Sequence, residues 1–181
     1  MKIGYQGLVG CNSYRLINKY FNNFLHVNYQ SFEDLFIALE NNEIDCLVLP
    51  IRNSTTGEIK EHLNLVNKYN FKIEKELSIE INHCLYGLIE SNLNSIKKII
   101  SHREALKQCS SFILNYETDE VWNTVGGIDI IINKNDISIG CIAPSDIINP
   151  NIKVLLENIN DNKNNRTYFY FIKKVLSVEM K

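Results

Sequence analysis

The chain has 181 residues, 45% hydrophobic and 22% charged, which suits one domain or two small lobes with a real core rather than a disordered chain. Its formal charge of -2 lacks the basic excess of a nucleic-acid-binding face, so an anionic ligand would have to be held locally. No apolar run approaches the ~20 residues that span a bilayer, and the N-terminus enters a strand pattern without a secretion signal, so a cytoplasmic protein with no membrane partner is expected.

Lys2 to Tyr5 reads as a first strand. Gly7-Leu8-Val9-Gly10-Cys11-Asn12-Ser13 follows as a loop into a helix marked by Leu16, Ile17, Tyr20 and Phe21, with Asn12 or Ser13 as its cap. Gly7 and Gly10 permit positive φ or close backbone approach, and a tight turn without a ligand accounts for them equally well. Leu25 to Tyr29 is a short apolar piece. Ser31, with Asp34 three residues on, opens a second helix through Phe32, Leu35, Phe36 and Leu39 that ends at Asn41 and Asn42.

Cys46-Leu47-Val48-Leu49 then reads as a parallel strand covered on both faces, its pairing ended by Pro50. Ile59, Leu63, Val66 and Tyr69 recur at helical spacing, and Thr55 with Glu58 makes a capping box. On that reading Asn53, Ser54, Thr55 and Thr56 crowd a helix N-terminus, which attracts anions; an ordinary capped helix is the alternative. Strand, helix, strand, helix with short connections indicates an α/β fold with parallel βαβ units.

Phe71 to Leu88 is too long and too alternating for one strand and is taken as a crossing between two lobes. Asn151-Ile152-Lys153-Val154 partly echoes Asn70-Phe71-Lys72-Ile73, and Thr167 to Ile172 would carry the chain back. The second lobe, residues 79–163, is thus inserted between residues 1–78 and 164–181, with a ligand cleft expected between the lobes. Within it Ile96 to Ile100 is a strand. Ser101 with Glu104 repeats the capping box of a helix carrying Ala105, Leu106, Cys109, Phe112 and Ile113, and Gln108 falls on the same side as Ser101. Thr124-Val125-Gly126-Gly127 opens another helix, and Ile137 to Ala143 is a strand closed by Pro144. Four polar junctions, two per lobe, are expected to hold a small polyanion.

Five scattered cysteines, Cys11, Cys46, Cys84, Cys109 and Cys141, read as small hydrophobes in a reducing compartment. The histidines His26, His62, His83 and His102 form no close pair at ligand spacing, so no metal site is expected.

These residues resemble the prephenate dehydratase family over nearly the whole chain. Gly7 to Ser13 is similar to its N-terminal glycine motif, and Leu49-Pro50-Ile51-Arg52-Asn53-Ser54-Thr55-Thr56-Gly57 to its Pro-Ile-Glu-Asn-Ser-Thr-x-Gly motif. Ile81-Asn82-His83-Cys84-Leu85 resembles its crossing strand, Ser101 to Cys109 its Ser-His-x-x-Ala-x-x-Gln-Cys helix, and Asn165-Arg166-Thr167-Tyr168-Phe169 its Asn-x-Thr-Arg-Phe segment.

The resemblance implies a two-lobed, type 2 periplasmic-binding-protein-like fold and a lyase that converts prephenate to phenylpyruvate, losing water and carbon dioxide, with no cofactor. It implies Thr167 as proton donor or orienter, with Asn53, Ser101 and Gln108 shaping the catalytic site. Arg52, Ser54, Thr55, Ser13, Thr124 and Tyr168 make up the expected substrate-binding set.

The chain departs from the pattern at Arg52, where the family usually has glutamate, and at Tyr168, where it has arginine. If both faced the cleft, the pair's charge would change from zero to +1 and draw an anion more strongly. A non-aromatising prephenate decarboxylase, an arogenate dehydratase and a non-catalytic dicarboxylate sensor are the competing readings. The family's regulatory ACT domain has no counterpart here, and the family resemblance leaves a homodimer open.

Overall fold

The computed structural model describes residues 1–69, 71–122 and 126–174. The chain begins with β1 (Lys2–Gln6), α1 (Asn12–Tyr20), β2 (Leu25–Tyr29), α2 (Phe32–Glu40), β3 (Cys46–Asn53), β4 (Gly57–Glu58), α3 (Lys60–Tyr69) and β5 (Lys72–Glu80). It continues with β6 (His83–Leu88), β7 (Lys98–Ser101), α4 (Arg103–Gln108), α5 (Ser110–Ile113), β8 (Glu117–Glu120), α6 (Gly126–Lys134), β9 (Ile139–Pro144), β10 (Ile152–Leu156) and β11 (Arg166–Lys173). Two compact units result, Met1–Glu80 with Arg166–Lys181, and Ile81–Asn165.

In the first unit the sheet order is β2-β1-β3-β11-β5, with β4 paired to β3. β1 runs parallel to β2 and β3, as short βαβ connections require, while β11 is antiparallel to both β3 and β5. Each face is covered by helix. Leu35, Phe36 and Leu39 of α2 and Leu63 and Val66 of α3 pack with Leu47, Leu49, Ile51 and Ile172 on one face. On the other, Phe21 at the end of α1 stacks on Phe171, ring centroids 4.7 Å apart. The apolar stretch from Cys46 to Leu49 is fully buried for that reason.

Four local expectations are corrected. Pro50 does not end β3, which pairs on through Asn53; the register against β11 slips by one residue between Tyr168 and Phe169, leaving Ile51 as a bulge beside the proline that has no N–H to donate. Thr55 and Glu58 do not cap a helix: β3 turns back at once into β4, with Arg52 opposite Glu58 and Asn53 opposite Gly57 at φ +88°, and α3 starts only at Lys60. The cap of α1 is Cys11, whose Sγ accepts from Tyr14 N–H, rather than Asn12 or Ser13. The cap of α4 is His102, whose Nδ1 accepts from Glu104 N–H, because Ser101 is still part of β7. The cap at Ser31 forms as expected, with Asp34 N–H donating to its Oγ at 3.0 Å.

In the second unit the sheet order is β10-β6-β9-β7-β8, parallel among β7, β8 and β9 and antiparallel from β9 to β6 and from β6 to β10. Side chains alternate between two cores: Cys84, Tyr86, Cys141 and Ala143 meet α6 through Ile128 and Ile131, while Leu85 and Ile142 meet Ala105, Leu106 and Cys109. Gly127 lies so close to β9 that a β-carbon there would stand 2.6 Å from Cys141 Sγ. Four of the five cysteines are buried, and burial pushes the Cys46 and Cys109 thiols up to about 12, so they pack as uncharged apolar groups.

His62, in the first turn of α3, is buried, its ring against Phe32 at 3.9 Å between centroids and its Nδ1–H donating to the Pro50 carbonyl at 2.6 Å. Burial pushes its pKa below the ordinary 6.5. The unfolded chain therefore takes up a proton that the folded chain resists, so this residue's stabilisation is complete above about pH 6.5 and declines as pH falls from there through the lower folded pKa.

Two measurements follow from this packing. Denaturant midpoints at pH 7.5 and pH 5 should show a larger acid loss in wild type than in His62→Asn, whose amide can donate to Pro50 without titrating; equal losses would remove His62 from the acid response. Gly127→Ala should destabilise the fold by about 1–3 kcal/mol, and adding Cys141→Ala should restore part of that loss, whereas simple additivity would mean that the two positions do not clash.

Candidate active site

In the first unit the chemistry gathers at the carboxyl ends of β1 and β3, where open α/β sheets place their ligands. The bulge at Ile51 sets Asn53 directly opposite Thr167 and Arg52 opposite Tyr168. Neighbouring residues of a strand point to opposite faces, so the two pairs are separated by the sheet.

Asn53 and Thr167 are both buried, and Asn53 Nδ2 donates to Thr167 Oγ1 at 3.0 Å. The amide is oriented by the hairpin turn: its Oδ1 accepts Thr55 N–H at 2.8 Å and Thr56 N–H at 3.2 Å. With the oxygen so engaged, nitrogen must face the threonine, and the Thr167 hydroxyl, already accepting from Asn53, keeps its own proton to donate. The turn therefore does not offer the anion-binding helix N-terminus expected around Ser54 and Thr55. Thr55 N–H and Thr56 N–H serve the asparagine, while Ser54 N–H donates to Arg166 O and Ser54 Oγ accepts Arg166 N–H, tying the turn to β11.

Arg52 and Tyr168 lie on the α2 and α3 face, where Tyr168 packs against that core. The Arg52 guanidinium stacks 3.4 Å above the Tyr168 ring and pairs with Glu76 at 3.0 Å. Arg52 and Tyr168, expected in the substrate-binding set, are thus placed across the sheet from Asn53 and Thr167. The sequence departure from the family is a surface stack, and the +1 charge expected of it is offset by Glu76.

Around β1, Gly7 and Gly10 take φ +111° and +92°, and Gly7 N–H donates to Tyr29 O at 3.1 Å. Ser13 is buried in the first turn of α1. Burial raises the Cys11 thiol above its ordinary pKa, which suits its role as cap and as donor to Gln6 O.

The second unit holds a buried polar cluster. His83 Nε2 meets Gln108 Oε1 at 2.9 Å, and Asn165 Nδ2 donates to the same oxygen at 3.0 Å. Asn160 Oδ1 accepts His83 N–H at 2.6 Å, and Gln108 O accepts Asp161 N–H at 2.9 Å. Sequence reasoning selected Gln108 but passed over His83, Asn160 and Asn165 as site residues. The available signal was their polarity within otherwise apolar or turn segments, and a pattern of single residues does not say which of them converge. Ser101 does not join this cluster: it has no exposed surface, and its hydroxyl donates to Ile142 O at 2.6 Å, fastening the end of β7 to β9. Thr124 lies outside the described residues.

The family model described as "Prephenate dehydratase" matches residues 3–176. The bifunctional chorismate mutase/prephenate dehydratase of Buchnera aphidicola subsp. Schizaphis graminum is 34% identical over 83% of this chain, which spans 40% of that relative's length. Two solved structures share the fold. A prephenate dehydratase from Arthrobacter aurescens in complex with L-Phe superposes with a TM-score of 0.87 at 19% identity, covering 98% of this chain and 61% of that one. The substrate-binding domain of a putative molybdenum ABC transporter from Clostridium difficile gives 0.55 at 12% identity, covering 96% and 84%, which places the fold with the periplasmic-binding-protein-like architectures. With its family model matched across both units, the chain belongs to the prephenate dehydratase family.

Proposed function

We propose that this chain is a lyase that converts prephenate to phenylpyruvate, the aromatising step of phenylalanine biosynthesis. The observation that carries the reading is the Asn53–Thr167 pair, in which a backbone-oriented amide leaves the threonine hydroxyl as a proton donor. Family membership supports the substrate.

Prephenate loses its hydroxyl and its ring carboxylate from opposite carbons of the ring. As the bond between the ring and its hydroxyl lengthens, the departing oxygen gains negative charge and takes the proton of Thr167 Oγ1, leaving as water. The bond to the ring carboxylate breaks in the same sense, its electron pair entering the ring as carbon dioxide departs. Water returns a proton to Thr167 afterwards. Aromatisation supplies the driving force, so the protein's work is to hold the substrate and stabilise the leaving hydroxyl.

The decarboxylase reading drew in part on the departures at Arg52 and Tyr168. Those side chains lie across the sheet from Thr167, so the departure gives no reason for altered proton delivery. The sensor reading does not account for a hydroxyl held as a donor. We further infer a cytoplasmic enzyme, since no disulfide links the five cysteines and no described helix is long and apolar enough to cross a membrane. A homodimer is proposed on family resemblance and is checked by sedimentation.

Thr167→Ala should lower turnover by about 10²–10⁴ while prephenate affinity changes little, and Thr167→Ser should recover part of it. The product, identified by mass beside an enzyme-free control, should be phenylpyruvate; a product that keeps the hydroxyl and lacks a carboxylate would establish the decarboxylase, and preferential conversion of arogenate would reassign the substrate.

Asn53→Asp is the sharper substitution. A carboxylate can still accept Thr55 N–H and Thr56 N–H, so the turn should persist, but it would capture the Thr167 proton instead of donating to its oxygen. Turnover should fall about as far as in Thr167→Ala, with thermal stability nearly unchanged. Turnover close to wild type would refute the proposed proton donor.

A further inference from the structure

The two ends of the Gln108 amide offer opposite things: its oxygen only accepts and its nitrogen only donates. Both acceptor positions on Oε1 are filled, one by His83 Nε2 at 2.9 Å and one by Asn165 Nδ2 at 3.0 Å. With Asn165 Nδ2 facing it, a turned amide would set NH2 against NH2, donor to donor, so Gln108 keeps its oxygen toward Asn165. It also requires His83 to carry its proton on Nε2.

What Gln108 has left is its NH2 group, which meets no partner among the described residues. Gln108 keeps 8% exposure, against 4% for His83 and 1% for Asn165, so it is the member of the trio closest to solvent. A second amide repeats the arrangement. Asn160 commits its oxygen to His83 N–H, and its buried Nδ2 has no partner among the described residues. The amide donors that Gln108 and Asn160 have to spare are groups that an oxygen acceptor would satisfy.

We propose that His83 and Asn165 are positioning residues that lock Gln108 with its NH2 turned to the substrate, so that this position reads a carboxylate or carbonyl oxygen and rejects an ammonium. The ligand's identity rests on the prephenate reading, whose side chain carries both a 2-oxo group and a carboxylate; the polarity of the position rests on the hydrogen bonds alone.

The test is prephenate affinity by calorimetry, with turnover and thermal midpoint measured on the same proteins. Gln108→Glu preserves an oxygen for His83 and Asn165 but turns an acceptor outward. It should keep a thermal midpoint near wild type and bind at least about a hundredfold more weakly, through a lost charge-assisted hydrogen bond and the repulsion that replaces it. His83→Leu frees one acceptor position and lets the amide turn, so affinity should fall about tenfold with kcat little changed. His83→Gln, which can donate again, should recover most of that loss.

A purely structural cluster would behave otherwise, with His83→Leu lowering the thermal midpoint while the folded protein binds as before. That result, or Gln108→Glu binding like wild type, overturns the proposal; if Gln108→Glu does not fold, the pair of His83 variants decides. Binding without turnover in wild type would end the dehydratase reading and leave these affinities fully comparable, whereas no binding by wild type would overturn both.

Discussion

The pairing of β3 with β11 governs the chemistry of the first unit, and it depends on a single extra residue. From Cys46 to Pro50 the strands run in one register; beyond Ile51 they run in another, one residue displaced. Since side chains alternate from face to face, that displacement decides which pairs meet on which side. Without it Asn53 would not lie opposite Thr167. Pro50 is where a ladder hydrogen bond is missing in any case, so the slip comes at a point where the sheet has less to lose. The carbonyl of Ile51 is not left idle, because Ile59 N–H donates to it as the chain leaves β4.

The two polar clusters are built on the same logic although they lie in different units. In each, an amide oxygen is saturated by donors from its own unit: backbone N–H of the hairpin turn for Asn53, side chains of His83 and Asn165 for Gln108. Saturating the oxygen fixes which way the nitrogen points, and the nitrogen then sets the role of the next group. Orientation of this kind is settled before a ligand arrives, so none of it has to be reorganised during reaction. It also means that isosteric amide-to-acid changes are more informative here than truncations, which would remove packing as well as polarity.

Arg52 illustrates how a departure from a family's pattern can be read wrongly from sequence alone. Its position beside Asn53 made it an obvious substrate ligand, and Tyr168 beside Thr167 likewise. Adjacent in the chain, they are on the far face of the sheet, where the guanidinium stacks on the phenol and meets Glu76. An exposed pair of this sort contributes little to stability, and its charge is screened by solvent.

The sequence by itself determined the class of fold, the order of strands and helices through β3, the passage of the chain out to a second unit and back, and the family. Those rest on periodicity, short connections and motifs, which are local and survive without coordinates. It also contained Asn53, Thr167 and Gln108, because their motifs are contiguous. Only the tertiary structure decided which groups those residues meet. The capping boxes at Thr55 and Ser101 were plausible by spacing yet lost to strands that continued, since ladder pairing over several residues outweighs one cap. That His83 and Asn165 meet at Gln108, while Asn160 accepts the N–H of His83 from 77 residues away, is an approach no periodicity encodes. The face on which Arg52 falls depends on a bulge, a one-residue choice made by the pairing of two distant strands and by neither strand alone.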